Sequence, residues 1–330
     1  MDLRDFEILV ELSRRPFASN ETVGRAVGIT GAAAKARLDR MKKHHVFEGF
    51  QVVPSPQVLG RHWHIWTYDG VEPEIDVRDL LEIENVVSVW RGGPGEVFLN
   101  TFDPTYEPRP PRGVERFLGN RPARVISAQP PGGHSAVGDI LSPLDWRVMD
   151  ALISNSRASL SALAEGTGLS ARTVRKRRDD LLSRGQISLP PRLDTTREGG
   201  LIVYSGYVSA ELPRSLDQID APGLMVVRRL HDPPVALFMG HAETLGEVQS
   251  TESRLRGIPG VLEVDLRPSR HAAFATRRLH DWVRAEVKRW ETARRVPRAQ
   301  GGPASRSTPH SRRTRSRDGG GEVERSRLRT

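Results

Sequence analysis

The stretch ASLSALAEGTGLSARTVRKRRDDLLS, residues 158–183, decides the fold. Leu160, Leu163 and Ala164 recur at helical spacing within Ser159–Thr167. Val174 and Leu181, seven residues apart, mark one apolar stripe on a further helix from Ala171 to about Ser183. Between the two helices stands Gly168-Leu169-Ser170. Gly168 can take positive φ and stop the first helix sharply. Leu169 supplies an apolar anchor, and the Ser170 hydroxyl can accept from the early amides of the next helix. With a preceding helix over Leu144–Ile153, behind the cap-like Ser142-Pro143, the segment reads as a helix-turn-helix unit. Off its apolar stripe, the third helix carries Arg172, Thr173, Arg175, Lys176, Arg177 and Arg178.

Working outward, the same unit stands 140 residues earlier without a gap. Asp5-Phe6 aligns with Asp145-Trp146, Leu12 with Leu152 and Ala18-Ser19 with Ala158-Ser159. Gly28-Ile29-Thr30 aligns with Gly168-Leu169-Ser170, and Lys35, Arg37 and Asp39 with Arg175, Arg177 and Asp179. Leu3, Phe6, Ile8, Leu9 and Leu12 predict an opening helix, followed by helices over Asn20–Val27 and Gly31 to about Lys43. In that third helix Ala34, Leu38 and Met41 are apolar, while Lys35, Arg37, Arg40, Lys42 and Lys43 are cationic. The register still holds where Val86-Val87 meets Val226-Val227, Pro94 meets Pro234 and Phe98 meets Phe238. It slips after residue 103, where the first copy becomes proline-rich. Val46-Phe47 and Ile187-Ser188-Leu189 look like strand starts, hence a wing after each helical unit.

Behind each helical unit the pattern changes to α/β. Strands are expected over Leu201–Val208, Leu224–Val227, Val235–Met239 and Val261–Leu266, with a short helix over Leu212–Ile219 and a longer one over Glu243–Arg256. That order is β-α-β-β-α-β, the ferredoxin-like layout. The first half follows it more loosely. Its strands are His62–Tyr68, Val86–Trp90, Val97–Phe102 and Arg124–Ser127, with a shortened helix over Val114–Gly119. A long amphipathic helix from Thr276 to about Arg294 closes the folded part. The expected class is α+β, with two winged helix-turn-helix domains each followed by a ferredoxin-like domain. The expected bounds are 1–53, 58–128, a linker at 129–139, 140–192, 198–270, the closing helix at 276–295 and a basic tail at 297–330.

Composition narrows the function classes. A length of 330 residues favours at least two domains. There is no cysteine, which excludes disulfides, thiolate metal sites and a cysteine nucleophile. No apolar run is long enough for a membrane span, and Asp2 and Glu7 argue against a signal peptide. The formal charge of +9 comes from 45 arginines and five lysines against 41 acids. Residues 297–330 hold nine arginines and three acids, so +6 of the +9 lies in this Gly- and Ser-rich tail. The tail is expected to be disordered, either a solvated extension or an arm adding phosphate contacts. The informative charge is local. Residues 35–43 carry five cations and one acid, and residues 170–184 six cations and two acids, a net +4 on each third helix.

A helix-turn-helix followed by a ferredoxin-like domain resembles the Lrp/AsnC family of prokaryotic transcription regulators. The resemblance rests on Leu3 through Ile8-Leu9, on the turns Gly28-Ile29-Thr30 and Gly168-Leu169-Ser170, and on Arg37 and Arg177 in the third helices. Glu48-Gly49-Phe50 with Val53 and Leu59-Gly60, and Pro259-Gly260-Val261, extend it into the α/β parts. It covers about residues 1–128 and 140–268. It implies a cytoplasmic, nucleoid-associated regulator that binds double-stranded DNA in a sequence-specific way. Family members usually carry one unit per chain and pair through their ferredoxin-like domains. Two fused units therefore suggest an internal pseudo-dimer with two unlike recognition helices, as a monomer or within a homo-oligomer, and a preference for an asymmetric site. The family's glycine-aspartate effector turn is replaced by Arg91-Gly92-Gly93-Pro94-Gly95 and His231-Asp232-Pro233-Pro234, so a small-molecule effector is left unassigned.

The candidate DNA-contacting residues are Thr30, Lys35, Arg37, Arg40, Lys42 and Lys43 in the first half. In the second they are Ser170, Arg172, Thr173, Arg175, Lys176, Arg177 and Arg178. Their pattern also fits solvated helix faces or a winged helix used for protein contacts, but the cations lie on the one helix that this motif presents to the major groove. The first copy opens Gly31-Ala32-Ala33-Ala34, with few donors for base edges; the second, with Arg172 and Thr173, suits direct readout. A second resemblance, to the siroheme decarboxylases, would need basic residues and histidines around a tetrapyrrole. His62 and His64 share a strand face, and His231, His241 and His271 are scattered. The family's arginine pair after the wing is replaced by Val46-Phe47-Glu48-Gly49-Phe50 and Gln186-Ile187-Ser188-Leu189. His62 and His64 read more simply as strand residues facing solvent or a partner, and lack an evident third metal ligand. Gly92-Gly93-Pro94-Gly95 reads as a hairpin and not a phosphate loop, and Asp179-Asp180 as solvated charge. No catalytic residue, cofactor or metal is expected.

Overall fold

The computed structural model describes residues 1–93, 95–128, 141–194, 200–219, 224–231, 233–269 and 271–295. The expected linker at 129–139 and the basic tail at 297–330 lie outside the described residues.

The first helical unit is α1 (Leu3–Arg14), α2 (Asn20–Ala26) and α3 (Gly31–Lys43). Each helix starts where a side chain can accept from an otherwise unpaired amide: Asp2, Ser19 and Thr30 cap them. Next come β1 (Phe47–Phe50) and β2 (Val53–Pro54), then the first sheet-forming segment. This comprises β3 (His62–Tyr68), β4 (Val86–Arg91), β5 (Val97–Asp103), α4 (Val114–Leu118) and β6 (Arg124–Ala128). The second helical unit is α5 (Pro143–Ser154), α6 (Leu160–Thr167) and α7 (Ala171–Ser183), capped by Ser142, Ser159 and Ser170. The bounds of α7 are those of α3 plus 140, as are the caps Ser159 and Ser170 against Ser19 and Thr30. Gly28 and Gly168 both take positive φ, at 75° and 66°. After α7 follow β7 (Ile187–Ser188) and β8 (Pro191–Leu193). The second sheet segment comprises β9 (Ile202–Ala210), β10 (Leu224–His231), β11 (Pro234–Ala242), α8 (Leu245–Arg256) and β12 (Val261–Pro268). β13 (His271–Phe274) and α9 (Thr276–Arg295) end the described chain.

Both sheets are antiparallel and share one strand order. It is β10-β11-β9-β12 in the second and β4-β5-β3-β6, extended by β13, in the first. Counted within each segment this is 2-3-1-4, the ferredoxin-like order expected from the sequence. In both sheets the first helix is a short 3-10 turn, Val77–Glu82 or Pro213–Ile219. β13 was not foreseen. It leaves the second segment and pairs with β4, His271 opposite Arg91 and Phe274 opposite Ser88. α9 then packs along α5, where His280 Nε2 stands 2.9 Å and Arg284 Nε 3.4 Å from Asp150 Oδ1.

The expected wings are a correction. Among the described residues neither helical unit folds a hairpin of its own; β1 pairs with β8 and β2 with β7, so the segment after α3 pairs with the segment after α7. Phe47 faces Leu193, Phe50 faces Pro191, and Gln51 N donates to Pro190 O at 2.9 Å between the two pairs. The physical reason lies in the connecting residues. Gln51-Val52 and Leu189-Pro190 contain no Gly, Asn or Asp to reverse the chain. Each segment therefore stays extended and finds its partner in the other half.

Burial follows that pairing. One apolar cluster contains Phe6, Leu9, Leu38 and Met41 of the first helical unit, Trp146, Leu152, Val174 and Leu181 of the second, and Phe47, Ile187 and Leu193 of the crossed strands. The sheets also share a cluster: Trp63, Ile65 and Phe102 from one, Tyr207, Leu230 and Val235 from the other, with Leu279 of α9. Around it, Arg267 of β12 reaches Glu96 at 2.6 Å and Asp69 at 3.2 Å in the first half, besides its neighbour Asp265. Those carboxylates raise its guanidinium pKa. Among the described residues no helix is long and apolar enough to cross a membrane.

Candidate nucleic-acid interface

The third helices are held by matching anchors. On their inner sides Ala34, Leu38 and Met41, and Val174 and Leu181, are buried. At their starts Thr30 accepts from Ala33 N at 3.1 Å and Ser170 from Thr173 N at 3.2 Å; both cap residues are otherwise exposed. The side chains exposed on α7 include Arg172, Arg175, Lys176 and Asp179, spaced i, i+3, i+4 and i+7, hence one face. Their counterparts on α3 are Ala32, Lys35, Ala36 and Asp39, also exposed.

The structure divides the thirteen candidates into two sets. Arg37, Arg40 and Arg177 are held by carboxylates of the opening helices. Arg37 lies 2.7 Å from Asp2 and 3.0 Å from Asp5, and Arg40 lies 2.7 Å from Asp5, whose side chain is fully buried. Partial burial works against ionisation of Asp2, but the Arg37 hydrogen bond, the Asp5 amide and the charges of Arg37 and Arg40 hold its pKa below the ordinary value. The same contacts raise the pKa of Arg37. Arg177 repeats the arrangement more weakly, 3.3 Å from Asp145. In each unit the acid also closes a capping box, Asp2 with Asp5 and Ser142 with Asp145. Arg178 is turned inward as well: its side chain is 12% exposed, its guanidinium lies 4.0 Å over the Phe17 ring, and it pairs with Asp179 at 2.8 Å. Lys35 pairs with Asp39 at 2.6 Å on the open surface, where the lysine lowers the pKa of Asp39. Lys42, Lys43, Arg172, Arg175 and Lys176 are exposed and form no ion pair among the described residues. Thr173 is half-buried beside Ser170.

Arg157, which sequence reasoning passed over, stands in the corner before Ser159. Its Nη2 donates to Ala18 O of the first unit at 3.3 Å, and burial lowers its guanidinium pKa. With Phe17, Arg175 and Arg178 it lines a hollow of about 510 Å³ beside α7. A signal was present: Arg157 is the 140-offset counterpart of Phe17, the one place in that corner where an aromatic ring in the first half stands against a cation in the second.

His64 is another correction, since it does not face solvent. It is fully buried, its Nε2–H donates to Thr105 O at 3.4 Å and its Nδ1 accepts from Ser127 Oγ at 2.8 Å. His62 packs edge-on against Tyr106. Among the described residues no group of three His, Asp or Glu is arranged to hold a metal ion.

Residues 141–182 match the model of the AsnC-type helix-turn-helix domain. An uncharacterised HTH-type transcriptional regulator of Pyrococcus furiosus is 30% identical over 97 residues, 28% of this chain and 63% of its own length. The chain thus spans under two thirds of that curated relative. Among solved structures, the siroheme decarboxylase NirDL superposes over 87% of this chain and 99% of its own, with TM-score 0.38 and 10% identity. AsnC of E. coli superposes over 38% of this chain and 90% of its own, with TM-score 0.24 and 14% identity. LrpC of B. subtilis covers 41% and 94%, with TM-score 0.27 and 21% identity. At these scores none of the three superpositions bears on function.

Proposed function

We propose that this chain, whose residues 141–182 match the AsnC-type helix-turn-helix domain, is a sequence-specific DNA-binding transcription regulator of the Lrp/AsnC family. One observation carries the proposal: Arg172, Arg175 and Lys176 stand free on a single face of α7, within the matched domain, on the helix that this motif lays in the major groove. Arg172 and Arg175 would read base edges, and Lys176, Lys42 and Lys43 would hold phosphates. Ser170, Thr173 and Thr30, near the helix starts, would add hydroxyl contacts. Arg37, Arg40 and Arg177 would act mainly by fixing the third helices on the opening helices, and Lys35 would contact phosphate by exchanging Asp39 for it.

We infer further that the two halves are copies forming an internal pseudo-dimer, each with a helical unit (1–53 and 140–192) and an α/β unit (58–128 and 198–270). The crossed strand pairs and the two shared apolar clusters support this. Two unlike reading faces then favour an asymmetric DNA site, and the molecule acts in the cytoplasm on the nucleoid. The chain's role is binding, and no catalytic step is assigned to it.

The test is selection of a preferred duplex from random DNA, then titration by fluorescence anisotropy at several salt concentrations. Affinity is expected to fall steeply with salt, and Arg172→Ala with Arg175→Ala to lose about 1–3 kcal/mol for each side chain that reads a base, with relaxed sequence preference. Unchanged affinity and unchanged preference in the double variant would overturn the assignment.

A further inference from the structure

The two sheets differ along one edge. β4 is the second strand of its segment, and its outer edge is covered by β13; α9 follows and lies along α5. The corresponding strand of the second sheet is β10, and the opening helix beside it is α1, whose Ser13 hydroxyl contacts Met225 of β10 at 2.9 Å. Among the described residues no strand covers β10. A cleft of about 1180 Å³ stands there instead, between the C-terminal end of α1, the C-terminal end of α7 and β10. This is room for a ligand of ordinary cofactor or metabolite size.

The chemistry of the cleft is distinct from that of the groove that α9 fills. On α5, Asp150 is met by His280 and Arg284 of α9. The cleft instead gathers Arg14, Arg15, Arg178, Arg184 and Arg229, with Asp179 its one acid, already paired with Arg178. Its floor is apolar and includes Phe17, Val58, Leu182, Ile187 and Val227. A basic helix such as α9 from a second copy is therefore a poor occupant. An added peptide strand is disfavoured as well, because β10 is bulged between Val226 and Arg228, which breaks the regular ladder such a strand would need.

We propose that this cleft is a binding site for a small organic anion with an apolar body, its charge met by Arg14 and Arg184 at the rim and its body laid on the floor beside Val227. Both arginines are exposed and form no ion pair among the described residues, so their charge is available to a ligand. Arg178 and Phe17 line both this cleft and the hollow next to Arg175. An occupant would therefore lie one side chain away from the proposed reading face.

The test uses the full chain without DNA, so its failure and that of the DNA-binding proposal are separate results. The probe is 1-anilinonaphthalene-8-sulfonate, an aromatic anion, titrated by calorimetry alongside its uncharged counterpart N-phenyl-1-naphthylamine. One site per chain is expected, with the anion bound at least tenfold more tightly than the neutral compound. Arg14→Ala with Arg184→Ala should weaken the anion at least tenfold, and Val227→Trp should weaken both compounds. Arg25→Ala, on α2 away from the cleft, should change neither. Thermal unfolding of each variant checks that the fold is kept. Equal affinity for anion and neutral probe, or wild-type anion affinity in the double arginine variant, would overturn the proposal.

Discussion

The third helices α3 and α7 begin and end at equivalent positions, are capped by equivalent hydroxyls and are pinned by equivalent arginine–aspartate pairs, yet expose different chemistry. The face Ala32, Lys35, Ala36, Asp39 is small, and its one cation is spent on its one acid. The face Arg172, Arg175, Lys176, Asp179 holds three cations, none in an ion pair among the described residues. What the two units share keeps a helix in place, and what they do not share lies where a helix-turn-helix would meet DNA. One backbone thus supports two surfaces of unequal charge. Anchoring residues such as Arg37 and Arg177 are separated from the candidate contact residues by what holds them and not by their charge.

If the crossed strands join them, both units are parts of one folded body. The largest expected effect tests that. Phe47 of β1 is 1% exposed, in the cluster common to both units, and lies opposite Leu193. Phe47→Ala should cost about 3–5 kcal/mol and lower the stability of both units in a single denaturant transition. Two transitions, with only the first unit affected, would mean that the crossed strands do not join them.

Next in size is the difference between the two faces in DNA binding. Under the proposed function, Arg172→Ala and Arg175→Ala should each cost about 1–3 kcal/mol of binding. Lys35→Ala should cost less than about 1 kcal/mol, since its gain on phosphate is offset by loss of Asp39. Equal losses on the two helices, read by anisotropy with the selected duplex, would show that the unequal faces are used alike.

The anchors themselves are unequal. Asp5 is fully buried and receives two guanidinium groups, whereas Asp145 receives one at 3.3 Å. Asp5→Ala should cost about 2–3 kcal/mol, because buried hydrogen bonds to charged groups are lost along with the capping box. The partly exposed arginines recover some of this from water. Asp145→Ala should cost about 1 kcal/mol, close to the loss of a cap alone. Urea unfolding of the two variants gives the order directly.

Which features were legible in the sequence follows from how local their causes are. Caps, glycine turns and apolar stripes act within a few residues, so the long helices came out close to their observed bounds. The crossed strands β1–β8 and β2–β7 join segments about 140 residues apart through elements of two to four residues, and no local pattern names such a partner. β13 is hidden for the same reason. The burial of His64 was obscured because β3, His-Trp-His-Ile-Trp-Thr-Tyr, is bulky on both faces. Trp63 and Ile65 turn to the second sheet, and His64, Trp66 and Tyr68 turn the other way. The anchoring of Arg37 and Arg177 could have been found, because Asp5 and Asp145 repeat with them at the same offset. A paired acid and base that recur together mark a contact within the fold.

The smallest expected effect concerns two histidines, one in each α/β part. Burial lowers the pKa of His64 in the first sheet and of His241 in the second, where the ring meets Phe6 edge-on at 4.7 Å. The unfolded chain therefore takes up protons below the ordinary histidine pKa of about 6.5 that the folded chain refuses. Stability is full above that pH and falls as the solution is acidified through it toward the folded values. Asp103, whose Oδ2 is 3.9 Å from His64 Nε2, works in the opposite sense at lower pH. Burial raises its pKa, so the folded state binds a proton that the unfolded state has released. The decline should thus be steepest just below pH 6.5 and shallower in the carboxylate range. His64→Gln keeps a donor and an acceptor for Thr105 and Ser127 but does not titrate, so its melting temperature should fall less between pH 7 and pH 5 than that of the parent. An identical fall in both would mean that the His64 ring is protonated within the fold.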